Sequence, residues 1–229
     1  MKQNRNFLIL GITGGAGSGK TTVVEQIERL VPTVFLHCDK IAHELMEPGG
    51  ASYQVLVEEF GEQILEDMPE AVPYPDQKQK NSRQISRPKL AAVAMTTEES
   101  RKRLNELTHP LVQKAVEAEL ERLQKEKFRG VAVIEAALLI EAGYKSICDS
   151  LWYVHAPLKD RIRRMRVKRG YSEEKIANIL AGQLSEAEFT ANADVIIENP
   201  DREKGEAAEA LSKQIAVLLK DYVESKDKM

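Results

Sequence analysis

Gly14-Gly15-Ala16-Gly17-Ser18-Gly19-Lys20-Thr21 fits the phosphate-loop pattern G-x-x-x-x-G-K-[ST] at every position. The apolar run 7–12 before it reads as a buried strand, and Val23, Val24, Ile27 and Leu30 after it recur at helical spacing. Strand, glycine loop and helix in that order separate a nucleotide site from an ordinary glycine-rich turn. Glycines let successive backbone N–H groups turn inward around a polyphosphate, and the helix start adds partial positive charge. The expected nucleotide-binding set is Gly15, Ala16, Gly17, Ser18, Gly19, Lys20, Thr21 and Thr22. Within it, Lys20 would reach the β- and γ-phosphates, and the Thr21 hydroxyl would ligate Mg²⁺.

The rest of the chain is compatible with one α/β domain carrying an insertion. Its 229 residues are 42% hydrophobic and 30% charged, the balance of a globular protein with a sizeable core. A net charge of -3 argues against a generic nucleic-acid binder. No apolar run is long enough to cross a bilayer, and the polar residues 1–6 do not resemble a secretory signal. Two cysteines, Cys38 and Cys148, are far apart in sequence and are expected to be reduced thiols of a cytoplasmic protein.

Further strands are expected at 33–37, 131–134, 151–155 and 193–197, alternating with helices, which implies a five-stranded parallel sheet. Asp39 follows the second strand, at the end of the sheet where ligands bind in such folds. It could take a proton from an attacking hydroxyl or hold Mg²⁺ through water; it could equally cap the helix expected at 40–46. Helices are expected at 53–65 and 89–95. Between them, residues 67–88 are polar, hold four prolines and show no period; Lys78, Lys80, Arg83 and Arg87 there could meet an anion or only solvate a loop. Thr96 and Glu99 have capping-box spacing for a helix that His109-Pro110 should stop, with a new helix running from 111 to 127. A histidine at such a junction is ordinarily structural. The third strand ends in Glu135, loosely the arrangement that places an acid in a Mg²⁺ shell.

Residues 159–169 carry seven basic side chains against one acid, with Leu158, Ile162 and Met165 on one stripe. A solvated face and a nucleic-acid contact are both open readings. Beside a phosphate loop, a lid that brings arginine onto transferring phosphates is favoured. A helix capped by Ser172 should run to 189, a last helix should span 204–223, and 224–229 reads as a polar tail.

Several stretches in order resemble the dephospho-CoA kinase family. Gly11-Ile12-Thr13 with the phosphate loop resembles its opening, and Asp39-Lys40-Ile41-Ala42-His43-Glu44-Leu45 with Glu47-Pro48-Gly49 its second motif. Leu104-Asn105-Glu106-Leu107-Thr108-His109-Pro110 matches its Leu-Asn…His-Pro element. Leu138-Leu139-Ile140-Glu141 and Ala193-Asp194-Val195-Ile196-Ile197-Glu198-Asn199 resemble two more. The resemblance implies a P-loop kinase fold over 1–229, with a helical acceptor-binding region at 40–127 and an arginine-rich lid at 157–190. It implies transfer from ATP, with Mg²⁺, to the ribose 3′-hydroxyl of dephospho-CoA, the last step of coenzyme A synthesis. Asp39 then matches the general base, Lys20 and Arg164 are catalytic, and Arg87, His109, Leu138 and Glu141 are on the acceptor side. Thr21 and Glu135 are the expected metal residues. No nucleic-acid or membrane partner is implied. The chain departs from the family pattern at His37-Cys38, where the family usually has Asp-Ala, and at Ala137, where it has proline. Another P-loop nucleoside or nucleotide kinase, and a regulatory paralogue without catalysis, are the alternative readings.

Overall fold

The computed structural model describes residues 5–67, 83–136, 139–140, 142–201 and 206–226. The sheet contains β1 (Phe7–Thr13), β2 (Thr33–His37), β3 (Gly130–Glu135), β4 (Ser150–His155) and β5 (Val195–Glu198). Its order is β2-β3-β1-β4-β5, and β1 pairs in parallel with β3 and β4, as β4 does with β5. β1 is central and buried at all seven positions, because helices cover both faces of a parallel sheet. The helix after the loop, α1 (Lys20–Leu30), packs Val23, Val24 and Ile27 on that sheet. Leu211, Ile215 and Leu219 of the last helix, at Glu206–Lys226, join the same core with Trp152 and Val154.

The chain divides into two compact units, one of residues 1–36 with 122–229 and the other of residues 37–121. In the second, α2 (Cys38–Leu45), α3 (Tyr53–Phe60), α4 (Arg87–Ala94) and α5 (Glu98–Lys125) supply most of the helix. Tyr53, Leu56, Phe60, Ile64, Leu65, Ile85, Leu90 and Ala94 make its own core. The ends of the long polar stretch meet there: Leu65 and Ile85 form an antiparallel bridge, and Ser86 N–H donates to Ile64 O at 2.8 Å. Lys78 and Lys80 lie outside the described residues, as do Ala137, Leu138 and Glu141.

Several helix boundaries differ from the sequence reading. The helix expected at 53–65 ends at Phe60, where Gly61 takes φ 78°, and one 3₁₀ turn (Glu62–Ile64) follows. Thr97, not Thr96, caps α5, accepting from Ser100 N–H at 3.0 Å. His109-Pro110 does not stop that helix; α5 runs through Pro110 for 28 residues. Its buried Val112, Val116, Leu120 and Leu123 continue a helical stripe past the proline, so packing outweighs one missing N–H. The helix expected from Ser172 to 189 is two helices, α7 (Glu173–Ala181) and α8 (Glu186–Asn192), with Ser185 and Glu188 forming a capping box for the second. The last helix, α9 (Glu206–Lys226), continues through the first half of the expected polar tail.

Candidate active site

β1 ends at Thr13, and the phosphate loop turns back into α1 at Gly19, which takes φ 93°. A side chain there is excluded twice, by that left-handed backbone and because a Cβ would sit 2.2 Å from Asn199 Nδ2. α1 has no side-chain cap and no acid in its first turn. A helix start without a capping side chain suits an anion there. Lys20 Nζ donates to Gly14 O at 2.7 Å, holding the ammonium against the loop.

The basic helix α6 (Leu158–Arg169) is built into this loop. Arg164 donates from Nη1 to Gly17 O (3.1 Å) and Ser18 O (3.0 Å), from Nη2 to Asn199 O (2.8 Å), and from Nε to Asp201 Oδ1 (3.0 Å). Its side chain is only 13% exposed, against 61% for Arg163, which grips the other Asp201 oxygen from outside. Asn199 Nδ2 adds a donation to Ser18 O at 2.8 Å, and Asp201 N–H donates to the buried Asp160 Oδ2 at 3.0 Å. Burial alone would raise the Asp201 pKa, but the hydrogen bonds from Arg163 and Arg164 prevail and hold its carboxyl below the ordinary aspartate value. Arg161 lies closer to the loop tip: Nε donates to Ala16 O (3.0 Å) and Nη2 to Gln183 Oε1 (2.7 Å). Burial lowers its pKa, and the nearby Tyr153 and Glu186 act in the opposite sense.

The remaining expected residues fall into separate settings. Glu135 ends β3 opposite Ile12 of β1 and is half-buried. Thr21 is exposed in the first turn of α1. One hydroxyl and a carboxylate are a small protein contribution, but they fit Mg²⁺, which keeps waters and substrate phosphates as most of its ligands. No cluster of three acidic, histidine or cysteine side chains suited to a metal occurs among the described residues. In the second unit Asp39 occupies the first turn of α2 and is exposed; His37 holds the cap position. His43, one turn on, lies under Arg87, whose Nη1 is 3.4 Å from Nδ1 and 3.5 Å from Nε2. Near-equal distances to both ring nitrogens describe a guanidinium over the imidazole face, which leaves its other N–H groups for a ligand. The two residues line a cavity of about 380 Å³ with Met46, Glu47, Glu66, Gln84, Ile85 and Pro88. His109 lies mid-way along α5, away from any helix end.

Sequence reasoning missed Gln183, Asp160 and Asp201, and gave no role to Arg161 or Asn199. Their contacts join positions 22 to 181 residues apart, which local periodicity does not register. The only local signal was Asn199 at the end of the fifth strand.

The model of the family described as dephospho-CoA kinase matches residues 8–204. The chain belongs to the dephospho-CoA kinase family. A dephospho-CoA kinase of Geobacter sulfurreducens is 34% identical over 191 residues, 83% of this chain and 89% of that one. TT1252 from Thermus thermophilus superposes with a TM-score of 0.71 at 25% identity, covering 94% of this chain and 98% of that one. Dephospho-CoA kinase from Campylobacter jejuni has a TM-score of 0.61 at 19% identity, over 95% and 98% of the two chains, and so shares the fold. The α/β architecture with a five-stranded sheet is that of a P-loop kinase, and the family span of residues 8–204 includes the phosphate loop, α2 to α5 and Arg164.

Proposed function

We propose that this protein transfers the γ-phosphoryl group of ATP to the ribose 3′-hydroxyl of dephospho-CoA, giving coenzyme A and ADP. The observation that carries this reading is an uncapped α1 start, with Lys20 on the loop, inside a chain of the dephospho-CoA kinase family. Gly15 to Thr22 cradle the polyphosphate, and Lys20 moves from Gly14 O to phosphate oxygens as they arrive. Thr21 and Glu135 would hold Mg²⁺, which supplies neutralisation of charge on the transferring phosphoryl group.

Asp39 is the proposed general base. It is exposed, it follows the end of β2 by two residues, and a carboxylate there can accept the proton of a ribose hydroxyl. Arg87, laid on His43 at the cavity, supplies guanidinium N–H donors to the acceptor's diphosphate. The family resemblance adds His109, Leu138 and Glu141 as acceptor-side residues. Arg164 acts through the loop: with all its nitrogens committed to protein oxygens, it positions the phosphate-binding backbone. The reaction needs no nucleic acid and no membrane, and a cytoplasmic location suits its soluble substrates. Among the described residues no helix is long and apolar enough to cross a membrane.

A coupled ADP-release assay tests the reading, with dephospho-CoA as acceptor and uridine, cytidine and nucleoside monophosphates as controls. ADP release is expected with dephospho-CoA alone. Release only with one of the controls would sink the proposal.

A further inference from the structure

The turn between α7 and α8 reaches the phosphate loop through one side chain. Gln183 Oε1 accepts from Ala16 N–H at 3.2 Å and from Arg161 Nη2 at 2.7 Å, while Arg161 Nε donates to Ala16 O at 3.0 Å. Both polar groups of Ala16 are therefore held in a closed ring of three hydrogen bonds. Because both partners of Oε1 are donors, the carboxamide orientation is fixed. Gly15 makes room for the ring: a Cβ there would sit 2.0 Å from Arg161 Nη2.

We infer that Gln183 is a positioning residue of the nucleotide site, which with Arg161 sets the loop tip before ATP arrives. The inference rests on the reading of this loop as an ATP site. With both polar groups of Ala16 engaged and Ser18 N–H donating to Gly15 O at 3.1 Å, the loop tip is ordered at folding rather than on binding. Preorganisation of this kind raises affinity by removing an ordering cost from the binding step. The choice of a neutral amide also has a reason. A carboxylate could accept the same two hydrogen bonds, but it would offset the Arg161 charge and repel a polyphosphate.

The test compares wild type with Gln183→Met, which keeps the volume and removes the acceptor, and Gln183→Glu, which keeps the acceptor and adds charge. Dissociation constants are read by titration with a fluorescent ATP analogue, alongside KM for both substrates and the Tm without nucleotide. For Gln183→Met, the nucleotide Kd and the KM for ATP are expected to rise about tenfold. The KM for dephospho-CoA should stay within about twofold, and the nucleotide-free Tm should fall by no more than about 4 °C. For Gln183→Glu, the Tm should equal or exceed that of wild type while Kd rises about tenfold or more. A wild-type Kd in either variant, or matched rises in both KM values, overturns the inference. A wild-type protein that binds no nucleotide overturns the ATP reading and the inference together. One that binds nucleotide but does not phosphorylate dephospho-CoA defeats only the acceptor assignment, and the Kd comparison still decides the role of Gln183.

Discussion

Arg164 and Asp201 show how much of the nucleotide site depends on charge held inside the fold. Arg164 satisfies four oxygens from the loop and the end of β5, so Arg164→Ala strips partners from the Gly17, Ser18 and Asn199 carbonyls at once. A loss on the order of 3 kcal/mol is expected from a charge-assisted network of this kind, read as a lower midpoint in urea unfolding. Asp201 gives the pH dependence. Its folded pKa is depressed, so its contribution is complete above the ordinary aspartate value of about 4 and is lost as pH falls through the folded value. Wild type should therefore melt higher than Asp201→Asn at neutral pH, and the gap should close below about pH 4. A gap that stays constant from pH 7 to pH 3 would show that the carboxylate does not titrate with folding. Asp39 lies outside such networks. Asp39→Asn should leave ATP binding intact and slow turnover on the order of a hundredfold or more, and near-normal turnover would remove it from the role of base.

At the level of elements, the three central strands β1, β3 and β4 were legible because each is a short apolar run, and a strand buried on both faces has that signature. Helix existence was legible for the same kind of reason. Helix limits were not, because tertiary packing decides them. The Gly182–Ser185 break interrupts an otherwise unbroken helical pattern, and Pro110 is carried inside a helix whose apolar stripe continues on both sides. The site followed the same division. The phosphate loop could be read locally; the Asn199, Gln183 and Asp201 contacts could not, since each joins segments distant in sequence. Pro110 also supplies a measurable cost. It is exposed, its ring removes one N–H from α5, and Thr108 Oγ1 bonds back to Leu104 O at 2.8 Å just before it. Pro110→Ala should stabilise the protein by about 1–3 kcal/mol, seen as a higher Tm. An unchanged or lower Tm would mean that the surrounding packing requires the proline geometry.

Across the whole molecule, the parts assigned to the nucleotide all fall in the unit of residues 1–36 and 122–229, whereas Asp39, Arg87, His43 and His109 fall in that of residues 37–121. Binding of each substrate should therefore leave a distinguishable mark. ATP binds only the folded loop, so at a hundred times its Kd it should add about 2.7 kcal/mol to stability. For a chain of this length that is a Tm rise of about 5–11 °C. Hydrogen exchange should slow at residues 14–22 and around Arg161 and Gln183, where the loop and its clamp are tightened together. Dephospho-CoA alone should instead slow exchange within 37–121, around the cavity under Arg87. Lys20→Ala should abolish most of the ATP-dependent rise while leaving the dephospho-CoA pattern in place, because it removes a phosphate contact and nothing from the second unit. If ATP alone protected residues 37–121 as strongly as its own loop, the division of substrates between the two units would be wrong, and Arg87 with His43 would have to be reassigned to the nucleotide.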